Sequence, residues 1–205
     1  MMKKLLLSLM LVTLVVPTVQ AQDERPLKKG QNSINLYYGI NLIRGIYKNV
    51  APNDATVKVG GFGPVGIVYE HMVTDGIGLG AELGFGQTTV AWDYEDVDFF
   101  TNNIIDTYKY EYKFTTLRAM FRANFHFAKT TNFDAYFLVS AGYRRNTFSI
   151  ETNDPFWGGG SISGFIPFGI KPGLGLRYFF TENIGIHMEL AAGTPVACGG
   201  LSLRF

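Results

Sequence analysis

The sequence has little cysteine, little charge and no segment with convincing helical periodicity. Cys198 is its single cysteine, so an internal disulfide is impossible. Charged residues make up 17% of the chain, against about 25% in an ordinary soluble domain. Lys and Arg total 18, and Asp and Glu total 17. This balance lacks the basic excess that nucleic-acid binding requires, so we expect no nucleic-acid partner.

A hydrophobic run long enough to form a membrane-spanning helix is also missing. The uncharged and mostly apolar run LLLSLMLVTLVV at 5–16 follows Lys3 and Lys4, and it is shorter than the about 20 apolar residues that a spanning helix needs. Val19 and Ala21 stand at the positions that a signal peptidase recognises. The pattern predicts a secretory signal peptide over 1–21, followed by a polar periplasmic lead-in over 22–32.

Glycine (24 residues) and aromatic residues (15%) are abundant, and nearly everything after the lead-in alternates with period two. Such alternation is typical of strands with two different faces. It predicts a barrel over 33–205, and a shift of phase at Thr115–Thr116 predicts a β-bulge there. The expected strands lie near 33–43, 61–71, 77–92, 108–127, 133–150, 162–179 and 184–193, with an eighth that ends at 205.

One face of each predicted strand carries large apolar side chains, and the other carries Gly, Ala, Ser, Asn and a few charges. The second face has too little charge to meet water, but it suits the narrow interior of an eight-stranded barrel. Its charges have both signs, as buried charges must if they are to pair. We expect Arg204 to pair with Glu70 or Glu189. The predicted luminal ion-pair network contains Glu70, Glu82, Arg118, Arg122, Lys171, Arg177, Glu189 and Arg204.

These faces predict an all-β protein: an eight-stranded antiparallel up-and-down transmembrane β-barrel of a bacterial outer membrane. Short turns would face the periplasm and longer loops the outside. A soluble periplasmic barrel with an apolar interior is the alternative. The candidates for aromatic belts at the membrane surfaces are Tyr38, Tyr69, Trp92, Tyr112, Tyr143 and Tyr178.

Three segments resemble the small OmpA/OmpX-like outer-membrane β-barrels, and specifically the Bacteroidetes-type proteins with an outer membrane protein beta-barrel domain. They are IVYEHMVTDGIGLGAELGFG (67–86), FDAYFLVSAGY (133–143) and KPGLGLRYFFTENIGIHMELAAG (171–193). The resemblance implies outer-membrane lipid and lipopolysaccharide as surroundings. It also implies that the terminal aromatic Phe205 is an assembly signal for the barrel-assembly machinery. The very short fourth outer loop at Thr194–Pro195 departs from the family pattern.

Function is expected in the loops, because loops carry function on a rigid scaffold. Strands four and five exceed the about 9–11 residues of one span, so they are expected to project as a sheet whose edge recruits another strand. The connection over 93–106 is acidic and aromatic, and it would face a surface protein partner, a host surface or divalent cations that bridge lipopolysaccharide. Its candidate contact residues are Asp93, Glu95, Asp96, Asp98, Phe99 and Phe100.

The sequence predicts no catalytic site, cofactor or metal centre. His126 and His187 fall in the luminal class without paired ligand spacing, and the His and Ser arrangement of a lipid A deacylase is missing. We expect a non-enzymatic monomer that serves envelope integrity or surface interaction. Passage or binding of a small solute, hydrophobic solutes included, is the first alternative, and a lipid-A-modifying enzyme is the second.

Overall fold

The structure, a computed structural model, describes residues 25–40, 57–98, 100–101, 103–128, 130–164 and 166–205. Within these ranges, no helix is long and apolar enough to cross a membrane. The predicted signal peptide over 1–21, the end of the first predicted strand and Phe99 lie outside the described residues. The strands are β1 (Asn32–Gly39), β2 (Lys58–Thr74), β3 (Ile77–Val97), β4 (Ile104–His126), β5 (Phe133–Thr152), β6 (Gly160–Ser163), β7 (Phe168–Phe179), β8 (Ile184–Ala191) and β9 (Ala197–Arg204).

Eight of these strands close into an antiparallel ring. The order runs β1, β2, β3, β4, β5, β7, β8 and β9, and β9 pairs again with β1. The short strand β6 pairs with β5 beyond the point where β7 ends its own pairing with β5. Together β6 and β7 form the predicted sixth strand, and Pro167, which has no N–H for a ladder, directly precedes β7. The predicted eight-stranded up-and-down barrel is therefore confirmed.

The barrel has two different ends. Short connections at 75–76, 127–132 and 180–183 lie at one end, here called the turn end. Phe205 closes the seam there, because its N–H donates to the carbonyl of Asn32 at 3.0 Å and its carbonyl accepts from the N–H of Asn32 at 2.8 Å. The opposite end, here called the loop end, carries the connections after β1, β3, β5 and β8.

The lead-in folds across the turn end. A guanidinium nitrogen of Arg25 donates to the carbonyl of Asp75 at 2.5 Å, and the N–H of Lys29 donates to the Asp75 carboxylate at 2.8 Å. Leu27 is only 2% exposed. The apolar side chain of a segment predicted only as polar therefore helps to close this end of the barrel.

The two faces of the ring differ as the sequence predicts. Glu70, Glu82, Arg118 and Arg177 are almost fully buried inside. A soluble barrel with an apolar interior would have the opposite arrangement. The predicted belt tyrosines Tyr38, Tyr69, Tyr143 and Tyr178 are exposed, as are the large apolar outer side chains Leu36, Ile67, Leu79, Leu83, Leu117, Phe121, Ile170, Leu174, Ile186, Met188, Leu190, Leu201 and Leu203.

The β-bulge predicted at Thr115–Thr116 is wrong. The register of β4 with β3 is continuous from Phe125 to Asp106, and its register with β5 is continuous from His126 to Tyr110. What changes near residue 115 is the environment of the inner face, which leaves the polar lumen and becomes aromatic. The register shifts in this wall lie elsewhere: in β2 between Phe62 and Val65, where Gly63–Pro64 interrupts the ladder with β3, and between Met72 and Thr74, and in β3 between Asp96 and Val97.

Candidate functional site

The interior charges form tiers, and the lower tier lies nearest the turn end. It consists of Glu70, Asp134, Arg177 and His126. Arg177 donates to Glu70 at 2.6 Å and lies 3.5 Å from Asp134. The His126 ring lies between the same two carboxylates, 2.9 Å from each. Asn124 completes the tier by donating to Glu70 at 2.5 Å.

The middle tier consists of Glu82, Glu189, Arg122 and Lys171. Arg122 meets Glu189 with both terminal nitrogens, in the fork geometry that suits guanidinium and carboxylate. Lys171 lies 2.6 Å from Glu82, and Arg122 lies 3.5 Å from the same carboxylate. Tyr136 donates to Glu189 at 2.7 Å. Side chains from five strands are thereby tied together across the lumen.

The Tyr136 ring fills the space between the two lower tiers. It lies 4.4 Å from the guanidinium carbon of Arg177 and 5.8 Å from that of Arg122. On β7, Gly175 lies directly opposite Tyr136, and a Cβ there would come within 2.2 Å of the ring. Glycine is required at this position because the ring passes over it. The small residues of the inner face thus make room for the large buried ones.

The upper tier consists of Arg118 and Arg144, toward the loop end. Arg118 donates to the Tyr37 hydroxyl at 3.0 Å, and Tyr37 in turn donates to Glu82 at 3.1 Å. Gly84 leaves room for this link, since a Cβ there would lie 2.6 Å from both groups. Arg144 lies opposite Arg118 across the β4–β5 ladder.

Arg204 does not join the network, which corrects the prediction. It lies half-buried at the turn end, where it donates to the carbonyls of Glu182 and Pro26 and stacks 4.3 Å over the Phe179 ring. The lead-in supplies an acceptor that the sequence pattern did not reveal. The carboxylate of Glu70 is already engaged by Arg177.

Several residues of the network escaped the sequence analysis. Asp134 and Tyr136 occupy alternate positions of β5 and point inward with Ser140. The same period-two argument that identified Glu189 could have found them. Tyr37 was not among the predicted network residues, and its link between Arg118 and Glu82 was missed.

β3, β4 and β5 continue beyond the ring at the loop end as a projecting sheet, and the start of β2 and the short β6 pair with its two sides. β3, β4 and β5 have 21, 23 and 20 residues, whereas β8 and β9 have 8 each. The pairing of β2 with β3 ends at Ala91, and that of β7 with β5 ends at Tyr143. β3 still pairs with β4 as far as Val97 and Ile104. The predicted projection of strands four and five is thus present, and strand three shares it.

The inner face of the projecting sheet is aromatic. Here it is called the aromatic face; it contains Trp92, Tyr110, Tyr112, Phe114 and Phe148, and Trp157 from the connection after β5 contacts it at Tyr110. Trp92 stacks on Tyr110 with centroids 5.6 Å apart and meets Tyr112 edge-on at 4.6 Å. Phe114 and Phe148 lie 4.7 Å apart. Trp92 and Tyr112 were predicted to belong to an outer aromatic belt. That prediction is wrong, because both side chains lie on the inner face above the ring.

Tyr110 also ties this face to the connection after β5. Its hydroxyl donates to the Asp154 carboxylate, and this hydrogen bond raises the pKa of Tyr110 to about 12. The same bond, together with the N–H groups of Phe156 and Trp157, lowers the pKa of Asp154. The connection is thereby held over the aromatic face.

The acidic segment is a hairpin rather than a long loop. Asp93, Glu95 and Asp96 lie in β3 opposite residues of β4. Asp98 accepts from the N–H groups of Phe100 at 2.8 Å and Thr101 at 2.9 Å, which lowers its pKa. Phe100 is 93% exposed. A contact role for these residues stays a prediction.

A metal site finds no support within the described ranges, where no group of three or more His, Cys, Asp or Glu side chains could hold an ion. His126 binds its two carboxylates, and His187 lies 3.3 Å from the Ser202 hydroxyl.

Three solved structures that are similar to the chain are outer-membrane proteins. The N-terminal β-barrel domain of Pseudomonas aeruginosa OprF is 15% identical with a TM-score of 0.46, covering 87% of this chain and 100% of that one. Yersinia pestis Ail, in complex with the heparin analogue sucrose octasulfate, is 17% identical with a TM-score of 0.43, covering 86% and 99%. Pseudomonas aeruginosa OprG is 11% identical with a TM-score of 0.40, covering 91% and 99%.

No protein-family model matches the chain, and no curated protein matches it. The Bacteroidetes-type assignment stays a prediction.

Proposed function

We propose that the protein is a non-enzymatic, monomeric β-barrel of a bacterial outer membrane, which displays the projecting sheet as a contact surface. One observation carries this proposal: large apolar side chains cover the outside of a ring whose interior holds paired charges. Water would be a poor solvent for that outer surface, and lipid a good one. The closed ring leaves no strand edge for lipid to meet.

The turn end is assigned to the periplasm and the loop end to the outside. Short turns at one end and longer connections at the other are the usual arrangement of such barrels. The predicted signal peptide supports export, and the exposed tyrosines Tyr38, Tyr69, Tyr143 and Tyr178 suit membrane interfaces. On this orientation, the aromatic face and the acidic hairpin project from the cell.

The filled lumen favours a contact role over transport. Arg122, Glu189, Tyr136, Glu82 and Lys171 bond to one another across the interior, and each is buried. A solute could pass only if these ion pairs separated, which is costly for buried charges. The role we propose is therefore attachment to another surface through the sheet, with the barrel as its anchor.

The first test is folding of the purified mature chain into detergent micelles, followed by gel migration with and without boiling. A membrane barrel resists unfolding until it is heated, so the two samples should migrate differently. Recovery of the native protein from the soluble periplasm would overturn the membrane assignment. Planar-bilayer recordings test the plugged lumen, for which we expect no discrete channels. Regular unitary conductance steps would instead support passage of a solute.

A further inference from the structure

The interior basic side chains face carboxylates in two tiers but not in the third. The lower tier has two carboxylates around Arg177 and His126, and the middle tier has two carboxylates with Arg122 and Lys171. The upper tier has Arg118 and Arg144 and, among the residues that the structure describes, neither forms an ion pair with a carboxylate. The positive charge of the interior is thus in excess at the loop end.

The upper tier also has unused donors. Arg118 is 2% exposed, yet its Nε and Nη1 have no hydrogen-bond partner within the described ranges, and the same holds for Nε of Arg144. The two arginines lie directly across the β4–β5 ladder. Like charges at such positions destabilise a sheet, and buried donors without acceptors cost further free energy. An acceptor with negative charge would relieve both costs.

A small cavity lies beside these donors. Its volume is about 20 Å³, and its lining includes Arg118, Thr88, Thr116 and Thr194. Arg144 reaches the same place, since it donates to the Thr194 hydroxyl at 3.4 Å. A cavity of this size holds about one water-sized group. It therefore suits a single oxygen of a larger anion, with the rest of the anion in the mouth above.

We propose that the upper tier is a binding site for one oxyanion group, a phosphate, sulfate or carboxylate, that enters from the loop end. The planar guanidinium forks of Arg118 and Arg144 match such a group. The Thr194 hydroxyl at the cavity accepts from Arg144, and it can donate its own hydrogen to the anion. The middle tier below closes the lumen, so the group binds without passing through.

The test uses the full mature chain folded in neutral detergent, with inorganic phosphate as the probe at constant ionic strength. The ¹⁵N resonances of the Arg118 and Arg144 Nε–H groups are followed during the titration. We expect a saturable shift of both signals. In Arg144→Gln, the affinity should fall about tenfold, since one charge-assisted contact is lost. Heat-modifiable migration checks independently that each variant is folded.

Arg145→Gln is the matched control. Arg145 is the next residue on β5, but it is exposed on the outside and donates to Ser163 at 3.2 Å. The substitution Arg145→Gln removes the same charge as Arg144→Gln and should leave the affinity for phosphate unchanged. Absence of a saturable shift in the wild-type protein, or equal loss of affinity in both variants, would overturn the proposal.

Two further arms identify the source of the group. Acetate in place of phosphate tests a carboxylate, and phosphorylated lipid A in the micelle tests a lipid headgroup. Saturation by either, with loss in Arg144→Gln alone, supports the site and names its ligand class. Shifts that follow ionic strength regardless of the anion would contradict it.

Discussion

The inner face of β3, β4 and β5 has two regions that differ in chemistry while sharing one unbroken register. Inside the ring, this face carries Glu82, Arg122 and Asp134 in ion pairs. Above the ring, it carries Trp92, Tyr112 and Phe148 in ring contacts. Inside the ring, a side chain meets the opposite wall, so charges find partners across the lumen. Above it, the part of the chain that the structure describes forms no opposite wall, and rings pack beside one another on the sheet.

This difference divides stability between the regions. Buried ion pairs are sensitive to loss of one partner, because the other charge is left uncompensated. Aromatic pairs on an exposed sheet contribute less each, and their loss is felt locally. Four substitutions test the comparison, from the largest expected effect to the smallest.

Glu70→Ala should have the largest effect. It removes the acceptor of Arg177, His126 and Asn124, and it should lower the free energy of unfolding by about 3–5 kcal/mol. Urea unfolding of the barrel in lipid vesicles measures this. Glu182→Ala is the control, since Glu182 is exposed at the turn end and should change stability little. Equal effects of the two would refute a special role for the lumen.

Gly175→Ala should cost about 1–3 kcal/mol by overpacking. The added Cβ would come within 2.2 Å of the Tyr136 ring, whose hydroxyl is held by Glu189. Gly158→Ala is the matched change at the loop end, where a Cβ would meet nothing within 4 Å. The same unfolding assay compares them. If Gly175→Ala is as harmless as Gly158→Ala, the lumen is looser than described.

Trp92→Ala should loosen the projecting sheet and leave the ring intact. It removes the contacts with Tyr110 and Tyr112. Amide hydrogen exchange over 108–114 should become about tenfold faster or more, while exchange over 118–126 should not change. Ile105→Ala, at an exposed side chain of the same sheet, is the control. Faster exchange throughout both ranges would show that the two regions are not separate.

Loss of the Tyr110–Asp154 hydrogen bond should produce the smallest effect. It should appear as a pH dependence of the stability of the loop end. The pKa of Tyr110 is raised to about 12, so its contribution to stability is full below the ordinary tyrosine pKa near 10 and is lost as pH rises through 12. The lowered pKa of Asp154 sets the opposite limit: its contribution is present above the ordinary value and lost as pH falls through the lowered one. Ultraviolet titration of tyrosinate should lose the step near pH 12 in Tyr110→Phe and keep it in Tyr143→Phe, a change on the outside of the ring.

The ring was predictable from the sequence, because an apolar outer surface and a narrow polar lumen impose one strict alternation over most strands. Leu201, Ser202 and Leu203 show it at the seam, with both leucines exposed and the serine buried. The charges Glu82, Arg122, Lys171 and Glu189 were found on the same basis. The sequence did not reveal which of these charges pair, since pairing depends on which strands face each other across the lumen.

The projecting sheet was misread where that constraint ends. Tyr108, Tyr110, Tyr112 and Phe114 suggested a change of face, and hence a bulge, because apolar side chains were assumed to point outward throughout. These side chains stay on the inner face of β4, and only the environment of that face changes above the ring. Arg204 was misassigned for a related reason, since the carbonyl of Pro26 that accepts from it comes from a lead-in with no periodic pattern.

The central claim is that the apolar face of the ring meets lipid. It is tested most directly by nitroxide labels placed singly along β8 in a Cys198→Ala background, with the folded protein in lipid vesicles. Labels at 186, 188 and 190 should collide readily with oxygen and poorly with a water-soluble nickel complex, and labels at 187 and 189 should collide poorly with both. High accessibility to the nickel complex at 186, 188 and 190 would contradict the account.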